Sequence, residues 1–222
     1  MATSTVEDYV KAIYLLQQDA PTGEATVLRL AATLGVTKGS VTAMVRKLRE
    51  AGLADAERYG GIKLTRKGRS LALDMIRRHR LIEVFLVEVL GFDWSEVHDE
   101  AERLEHAMSA KLLDRLDAHL GHPAIDPHGD PIPDATGKIA LAEHTPLAGL
   151  VKGSKGVVAR VSDQDARFLE FAAAYGLRPG ARVAVVDVVP EAGSLSVKAH
   201  RHDAVSLSFQ AAEKILIEAD SG

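Results

Sequence analysis

The sequence predicts a mainly α-helical protein that ends in a small β-rich domain. Three observations predict this class. Apolar residues recur at helical spacing through most of the chain up to Leu120, two short helices joined by a glycine turn lead into a short hairpin, and strand-like segments replace helices beyond Leu150. In chain order, we expect a winged helix-turn-helix, a pair of long helices and a small β-barrel.

The composition limits the class of protein. A chain of 222 residues, 46% of them hydrophobic, can bury a core and divide into two or three domains. It contains no apolar run as long as a membrane span and no basic-then-apolar signal at its N-terminus, so we expect a cytoplasmic protein. The absence of cysteine excludes disulfides and thiolate ligands, so any metal must bind through oxygen and nitrogen.

Charge is distributed unevenly along the chain. The net charge of −4 by itself argues against a DNA partner. From Thr37 to Arg80, however, twelve Lys or Arg stand against four Asp or Glu, whereas from Asp93 to Asp117 eight acids stand against three bases. The average therefore hides a basic segment and an acidic one, and the basic segment is compatible with DNA binding.

A helix is predicted at the N-terminus. Ser4 and Glu7 have the spacing of a capping box, and an apolar helical stripe from Val6 to Leu16 follows. Asp8 lies off that stripe in the first turn, where an acid is favourable through the helix dipole alone.

Two short helices joined by a tight turn predict a helix-turn-helix. Thr26 caps the first, which runs through Leu34 and ends at Gly35, and Thr37 opens the second, which stops at Gly52. The outward face of the second helix combines small residues, which allow close approach to DNA, with basic residues that reach phosphates. The expected DNA contacts are Thr37, Lys38, Gly39, Ser40, Thr42, Arg46 and Lys47, with Thr37, Gly39, Ser40 and Thr42 nearest to the bases.

A short hairpin after the helix-turn-helix completes a winged helix. It runs from Leu53 to Leu64 and turns at Gly60–Gly61. Arg58 and Lys63 are expected along the DNA backbone or in the minor groove. The alternative is a small helical domain whose charged surface has no DNA partner.

Two long helices, predicted as an antiparallel pair, come next. Thr65 caps the first, which runs to about Leu90, and a capping box of Asp93 and Glu96 precedes the second, from about Ser95 to Leu120. The second helix has a long apolar face, part of which packs within the chain and part of which suits self-association. That face consists of Val97, Ala101, Leu104, Met108, Leu112 and Leu116.

A cluster of two acids and a histidine is predicted on the second long helix. At 100° per residue, Glu102, Glu105 and His106 fall within one narrow arc. Packing does not need two carboxylates beside an imidazole, and a hard divalent cation would relieve their repulsion and take all three as ligands. A solvated acidic helix face is the alternative interpretation of the cluster alone.

Two histidines and a glutamate accompany this cluster. His79 and Glu83 lie one turn apart on the first long helix, and His98 falls on the arc of the acidic cluster. Either histidine alone is more often structural than a ligand, but together with Glu83 they favour a second cation site.

The last part of the chain changes from helices to strands. Gly121–Gly149 holds five of the eight prolines without periodicity, which predicts a tether, and Asp126 and His128 inside it lie in an ordinary turn or supply ligands. Strands and one short helix, Asp165–Tyr175, predict a β-barrel of about seventy residues. The strands are expected at Gly156–Val161, Arg182–Val189, Ser194–Ala199, Ala204–Phe209 and Lys214–Ile217.

Several spaced motifs in this order resemble the diphtheria toxin repressor family, whose manganese branch is the manganese transport regulators. They are Val6-Glu7-Asp8-Tyr9 with Ile13-Tyr14, Arg78-His79-Arg80-Leu81 with Glu83, His98-Asp99-Glu100-Ala101, Glu102-Arg103-Leu104-Glu105-His106 with Met108, and Asp126-Pro127-His128-Gly129. The resemblance implies a winged helix at 1–72, a helical dimerisation and metal-binding domain at 73–135, a linker at 136–149 and an SH3-like (FeoA-like) domain at 150–222.

The resemblance implies a primary metal site formed by Asp8, Glu102, Glu105 and His106. Iron-responsive members have methionine and cysteine at the positions of Asp8 and Glu102, whereas this chain has carboxylates at both, as manganese-responsive members do. Hard oxygen in place of soft sulfur favours Mn²⁺. Fe²⁺ is the alternative effector, and Co²⁺, Zn²⁺ or Cd²⁺ could substitute in vitro.

An ancillary site is implied in one of two versions. His79, Glu83 and His98 match the ligands of iron-type members. Glu83, Asp126 and His128 match those of some manganese-type members, which have cysteine at the position of Asp126.

Three further positions bear on these sites. Asp163 or Asp165 could complete either version of the ancillary site. Lys11 departs from some two-domain manganese members, which have glutamate there, and this argues against a close pair of metals at the primary site.

Together these interpretations predict a homodimeric, metal-activated repressor of metal-uptake genes that binds palindromic double-stranded operator DNA. The alternatives are an iron-responsive repressor of the same family, a metal-dependent hydrolase and a winged-helix regulator that senses an organic ligand. No nucleophile, general base and substrate pocket converge near the cluster, so we expect no enzymatic activity. We also expect no membrane partner and no organic small-molecule ligand.

Overall fold

A computed structural model describes residues 3–18, 24–56, 61–140 and 142–219. The chain divides into two compact units. The first comprises Met1–His79, Glu105–Met108 and Pro133–Lys138, and the second comprises Arg80–Leu104, Ser109–Ile132 and Ile139–Gly222. None of the described helices is both long enough and apolar enough to cross a lipid bilayer.

The first unit contains the predicted winged helix. Its elements are α1 (Ser4–Gln18), α2 (Val27–Thr33), α3 (Lys38–Glu50), β1 (Ala54–Ala56), β2 (Ile62–Leu64) and the start of α4 (Arg66–Glu88). β1 and β2 pair antiparallel, with Ala54 opposite Leu64, and α1 packs against α2 and β2. The hairpin is therefore confirmed, although Arg58 and Gly60 lie outside the described residues.

The helix-turn-helix forms as its caps predict. Thr26 and Thr37 accept hydrogen bonds from the backbone of Arg29 and Ser40, and so cap α2 and α3. The turn between them passes through Gly35, whose φ of +63° is a conformation that glycine adopts without strain. α3 buries an apolar face against the unit, because Val41, Val45 and Leu48 recur at helical spacing.

The second unit is dominated by an antiparallel sheet. Its elements after α4 are α5 (Val97–Leu104), α6 (Ala110–His119), β3 (Thr145–Pro146), β4 (Lys155–Val161), α7 (Ala166–Ala174), β5 (Arg182–Val189), β6 (Ser194–Ala199), β7 (Ala204–Ser208), α8 (Phe209–Ala212) and β8 (Ile215–Ala219). Within the described residues, six strands follow the order β3-β8-β4-β5-β6-β7. Alternate residues of these strands, such as Leu195 and Ile217, pack into one apolar core with Leu169 of α7. The predicted small β domain is confirmed.

The second long helix is not continuous, contrary to the prediction of one helix from Ser95 to Leu120. α5 ends at Leu104, a turn carries Glu105 and His106, and α6 starts at Ala110. The extended backbone of Ser109 caps α6, because its hydroxyl accepts from Leu112 N. Arg78 donates to the carbonyl oxygen of Met108 at 2.7 Å and so satisfies a backbone acceptor in this turn.

The segment predicted as a tether contains local structure. Ile125 and Pro131 form an antiparallel bridge around the Asp126–His128 turn. β3 then pairs with β8 through Thr145–Ile217 and Pro146–Leu216. These contacts could not be predicted from periodicity, because a single bridge and a two-residue strand produce no alternating pattern of apolar residues.

Candidate metal centre and DNA-binding face

Two carboxylates and an imidazole converge in the first unit. Nε2 of His106 lies 2.9 Å from Oδ1 of Asp8 and 3.7 Å from Oε1 of Glu105. Asp8 comes from α1, whereas Glu105 and His106 come from the turn before α6, and Glu105 is completely buried. Three of the four predicted primary ligands are therefore brought together; their role as metal ligands stays a prediction.

Glu7 is a site residue that the sequence interpretation missed. Its spacing from Ser4 predicts a capping box, but its Oε2 accepts from Nδ1 of His106 at 2.9 Å. The backbone of Glu7 itself bonds to the Thr3 carbonyl at the helix start. A carboxylate behind a histidine fixes the ring and leaves the other nitrogen directed at a ligand position.

Lys11 and His79 surround the far side of Glu105. The Lys11 ammonium donates to Oε1 at 3.0 Å and to Oε2 at 2.8 Å. Nδ1 of His79 lies 2.7 Å from Oε2 and 3.1 Å from the Lys11 nitrogen. All three side chains are buried. In the first unit, the predicted ancillary ligand His79 therefore contacts the carboxylate of Glu105.

Glu102, the fourth predicted primary ligand, lies on α5 in the second unit. There its Oε1 is 3.9 Å from Nε2 of His98, one turn earlier on the same helix. Nδ1 of His98 in turn lies 3.7 Å from Oε1 of Glu83.

A second cluster, buried throughout, is formed by Glu83, Asp126 and His128. Oε2 of Glu83 lies 3.8 Å from Nδ1 of His128. Nε2 of His128 donates to the carbonyl oxygen of Trp94 at 2.8 Å. That bond places a proton on Nε2, so Nδ1 is the nitrogen that faces Glu83 and that would bind a metal ion once it has lost its own proton.

Burial of like charges shifts the titration of this cluster. Burial, with the neighbouring charges of Asp130 and Glu83, raises the pKa of Asp126 to about 7, although Arg80 opposes the shift. Burial alone would lower the pKa of His128, but its hydrogen bond and charge interaction with Glu83 outweigh it and the pKa is raised. Two close buried acids that resist ionisation together are the arrangement that a bound divalent cation relieves.

Asp163 and Asp165, the two acids of the β domain predicted as additional ligands, contact other groups. Asp163 pairs with Lys214, which helps to hold the pKa of Asp163 below its usual value against the opposing effect of burial. Asp165 caps α7 by accepting from the backbone of Arg167 and Phe168. Among the described residues, neither belongs to a cluster of three possible ligands, so their placement gives no support to a ligand role.

The donor atoms of both clusters suit a hard or borderline divalent cation. Each offers two carboxylates and one imidazole, the ligand types that suit Mn²⁺ and Fe²⁺. A neutral imidazole carries a proton on only one of its two nitrogens. With that proton on Nδ1 of His106, toward Glu7, Nε2 and the Asp8 carboxylate are both acceptors, and a cation between them can bind both. The residues therefore fit the metal that the sequence predicts.

The predicted DNA-binding face lies on α3. Every residue proposed there is exposed: Thr37, Lys38, Gly39, Ser40, Thr42, Arg46 and Lys47. Some hydroxyls already have local partners, since Thr37 contacts Ser40 at 2.9 Å and Thr42 donates to the Lys38 carbonyl.

On the wing, Lys63 pairs with Glu24 at 2.8 Å, and this contact lowers the pKa of Glu24. Both the Lys63 and Glu24 side chains are partly or largely exposed, so screening by water weakens the pair. Arg58 cannot be placed, because it lies outside the described ranges.

Comparison with known proteins identifies the family. The family described as "Iron dependent repressor, N-terminal DNA binding domain" matches residues 1–62, and its "metal binding and dimerisation domain" matches residues 65–134. The "FeoA domain" matches residues 145–219. The iron-dependent repressor IdeR of Mycobacterium leprae is 32% identical over 226 residues, which cover 96% of each chain. This chain belongs to the iron-dependent repressor family.

Solved structures of the family match nearly the full length of the chain. A manganese-dependent transcriptional repressor in complex with manganese is 41% identical, with a TM-score of 0.88 over 96% of this chain and 99% of that one. ScaR with bound Cd²⁺ is 32% identical, with a TM-score of 0.81 over 96% and 99%. The family resemblance and the fold class predicted from the motifs are confirmed. Members of the family are DNA-binding repressors rather than enzymes, which removes the hydrolase alternative.

Proposed function

We propose that this chain is a manganese-activated repressor that binds palindromic operator DNA as a homodimer. The contact of Asp8 on α1 with His106, beside buried Glu105, carries the proposal. α1 also packs against α2 and β2 of the winged helix. A ligand set that includes Asp8 therefore shares an element with the DNA-binding domain. A bound divalent cation supplies the positive charge that holds these acids together.

The link between metal and DNA is one of coupled equilibria. The acids of the site repel each other without a cation, so the position of Asp8 is less restrained in the metal-free chain. An ion that binds better to the DNA-competent arrangement raises DNA affinity by the same factor as DNA raises metal affinity. Typical coupling energies of about 1–3 kcal/mol correspond to a 5–150-fold change in affinity.

The preference for Mn²⁺ rests on the oxygen ligands at Asp8 and Glu102. Iron remains the second candidate, because the mycobacterial relative is named for iron dependence. The two are separated by Asp8→Met, which places soft sulfur on α1. We expect the ratio of Fe²⁺ to Mn²⁺ response in DNA binding to rise. An unchanged ratio would mean that Asp8 does not select the metal.

For the ancillary site we favour Glu83, Asp126 and His128. All three are buried in one unit, and burial together with the neighbouring acids raises the pKa of Asp126 there. His98 adjoins Glu83 and offers an additional ligand atom in this unit. Asp163 and Asp165 are left out, since a lysine and a helix N-terminus already engage them.

The assembly proposal uses the helical domain that the family describes as a dimerisation domain. Leu104 and Leu112 of the predicted apolar seam are 44% and 54% exposed in the single chain. A second copy would cover them, and two-fold symmetry would present two copies of α3 to successive major grooves.

The test is a titration of operator DNA binding against Mn²⁺, Fe²⁺, Co²⁺ and Zn²⁺. We expect tight binding only with metal, with the strongest activation by Mn²⁺ at its intracellular concentration range. Asp8→Asn should abolish the metal response while leaving a folded dimer, because its side chain is 37% exposed and contributes little to the core. Asp99→Asn, an exposed acid on α5, is the matched control. Equal DNA affinity with and without metal would refute the proposal.

A further inference from the structure

One face of the antiparallel sheet concentrates basic side chains. The strand register places Lys155 of β4, Ala184 of β5 and Lys198 of β6 side by side. Arg182 lies in the next row beside His200, whose backbone nitrogen donates to the Arg182 carbonyl oxygen at 3.0 Å. Successive side chains of a strand point to opposite faces, and all four basic side chains are exposed. They therefore share the solvent face of the sheet.

The cations of this face differ from a neighbouring lysine of the same domain in having no acid beside them. Lys152 pairs with Asp187 at 3.0 Å. Within the described part of the chain, Lys155, Arg182 and Lys198 form no such ion pair. Uncompensated positive charge in one place, on a chain whose net charge is −4, attracts anions.

A cavity of about 640 Å³ lies over this face. The small side chain of Ala184 leaves room between Lys155 and Lys198, and Asp203 is the one acid among the described residues that line the cavity. Val186, which is 44% exposed, adds an apolar wall. Sites for small organic ligands typically have volumes of about 300–1,000 Å³, so the cavity is larger than one inorganic phosphate requires.

The turn between β6 and β7 forms the rim of the cavity and carries a further cation, Arg201. The φ of Arg201 is +65°, a left-handed conformation that is uncommon for a residue with a side chain. The next residue, His202, donates from its backbone nitrogen to the Ala199 carbonyl oxygen at 3.1 Å. Its ring packs so closely on Gly176 that a side chain at that position would collide with it. Such strain persists only where the surroundings impose it, and it is frequent at ligand sites.

We propose that this cavity binds an organic anion that carries two or more phosphate groups and has the size of a nucleoside diphosphate. Neighbouring strands lie about 5 Å apart, so the backbones of Lys155 and Lys198 are about 10 Å apart, a spacing that linked phosphate groups span better than one. The planar guanidinium of Arg182 can donate two parallel hydrogen bonds to a phosphate. The space beside Val186 accommodates the organic part. The sequence predicted no organic ligand, since the strand register that brings these cations together could not be predicted from it.

The test is equilibrium dialysis of the full-length protein against ADP, inorganic pyrophosphate, inorganic phosphate and citrate. A chelator is present throughout, so that no anion binds through a metal ion. We expect one ADP or pyrophosphate per chain, bound at least about tenfold more tightly than phosphate or citrate, because only the first two carry linked phosphate groups.

A double variant, Lys155→Ala with Lys198→Ala, locates the site. Because both side chains are exposed, their truncation should leave the fold and the Tm unchanged. The ADP affinity should fall at least about tenfold, since two charge-assisted hydrogen bonds are lost. Lys152→Ala removes a lysine of the same domain that already pairs with Asp187, so it is the matched control and should change ADP affinity little.

Four outcomes would overturn the inference. They are no saturable binding of ADP or pyrophosphate at millimolar concentrations, equal affinity for citrate, unchanged ADP affinity in the double variant, and displacement of ADP by operator DNA, which would assign the cavity to the DNA backbone. Neither Mn²⁺ nor DNA activation enters the first three measurements. A chain that binds ADP as expected, yet has the same operator affinity with and without Mn²⁺, would refute the proposed function alone.

Discussion

At His106, both ring nitrogens face a carboxylate. Nε2 points to Asp8 and Nδ1 to Glu7, each at 2.9 Å. Glu7 is the half-buried partner behind the ring, so it can hold the imidazole in place whether or not Nε2 binds a cation. In the proposed site, one residue of α1 would supply a ligand atom, and its neighbour in sequence would orient a ligand from a different element.

Glu7→Gln tests this positioning role. The amide keeps the size of the side chain but removes the negative charge that favours a proton on Nδ1, so we expect Mn²⁺ affinity to fall roughly 10–100-fold. Affinity is measured by calorimetry, and metal-free thermal stability is measured in parallel. Glu96→Gln, an exposed glutamate just before α5, should leave metal affinity unchanged. An unchanged Mn²⁺ affinity in Glu7→Gln would assign Glu7 to local structure alone.

Asp126 gives the second cluster a pH dependence. Burial raises its pKa from 3.8 to about 7, so the folded metal-free chain binds a proton more readily than the unfolded chain does. Its favourable contribution to the free energy of unfolding is complete below the unfolded pKa of 3.8 and is lost as pH rises through about 7.

We therefore expect the free energy of unfolding of the metal-free protein to gain from this group between pH 8 and pH 5. Asp126→Asn should reduce that gain, since its amide oxygen still accepts from the backbone of His128 and Asp130 but does not titrate. Urea melts at the two pH values measure the effect, with exposed Asp114→Asn as control. Saturating Mn²⁺ should reverse the trend in the unaltered protein, because the ion binds the ionised carboxylate.

At the residue scale, the sequence predicts the candidate ligands better than it predicts the side chains that hydrogen-bond to them. Glu105 and His106 were recognisable because packing does not explain such a cluster. Glu7 was not, since capping-box spacing has a common local explanation, and the resemblance marks Lys11 only as a departure from the family pattern, not as the partner of Glu105. Their position within one turn of Asp8 was the available signal.

Among the elements, the break between α5 and α6 shows what periodicity misses. The apolar seam continues from Val97 to Leu116 at helical spacing, which predicted one helix. The helix is interrupted at two residues. Ser109 caps the start of α6, and Glu105 is buried in an ion pair with Lys11. The capping signal was visible in the sequence, whereas the long-range ion pair was not.

The exposed seam gives a prediction for α6. Leu112 is 54% exposed, and in a symmetric dimer it would be covered. Leu112→Lys should therefore weaken self-association by about 1–3 kcal/mol through loss of apolar burial, with little effect on the stability of a single chain. Sedimentation velocity across a concentration series measures it. Lys111→Leu, its neighbour on α6, is a control for surface change, and an unaltered dimer in Leu112→Lys would place the interface elsewhere.

For the whole molecule, the distribution of charge matters more than its total. A chain of net charge −4 carries twelve of its 27 Lys and Arg between Thr37 and Arg80, against four Asp or Glu, and this segment includes α3 and the wing. Most of the affinity for DNA should come from phosphate contacts by this segment, which depend steeply on salt.

Lys47→Ala tests this at constant metal saturation. Lys47 is exposed on α3, and loss of one phosphate contact should reduce the slope of log affinity against log salt by about 1. The loss should be nearly the same for operator and unrelated DNA. Exposed Lys155→Ala on β4 is the control. An altered operator preference without a change of slope would mean that Lys47 reads bases instead.

The order of domains could be predicted from the sequence, because each has a distinct hydrophobic period and its own turn residues. The two-residue strand β3 and the bridge at Ile125 and Pro131 could not, since they depend on partners far along the chain. The same limit applies to the candidate metal centre, where residues from α1, α4 and the turn before α6 meet.

The double use of α1 bears on protein engineering. This helix packs against α2 and β2 of the DNA-binding domain and also carries Glu7, Asp8 and Lys11. Consider a hybrid regulator that takes its DNA-binding domain from one relative and its metal-binding domain from another. A single junction after β2 would separate α1 from the metal-binding residues that follow. With the proposed ligand Asp8 on α1, the relative that donates the metal site must also contribute the first helix, and a hybrid without it is expected to bind its operator without responding to the ion.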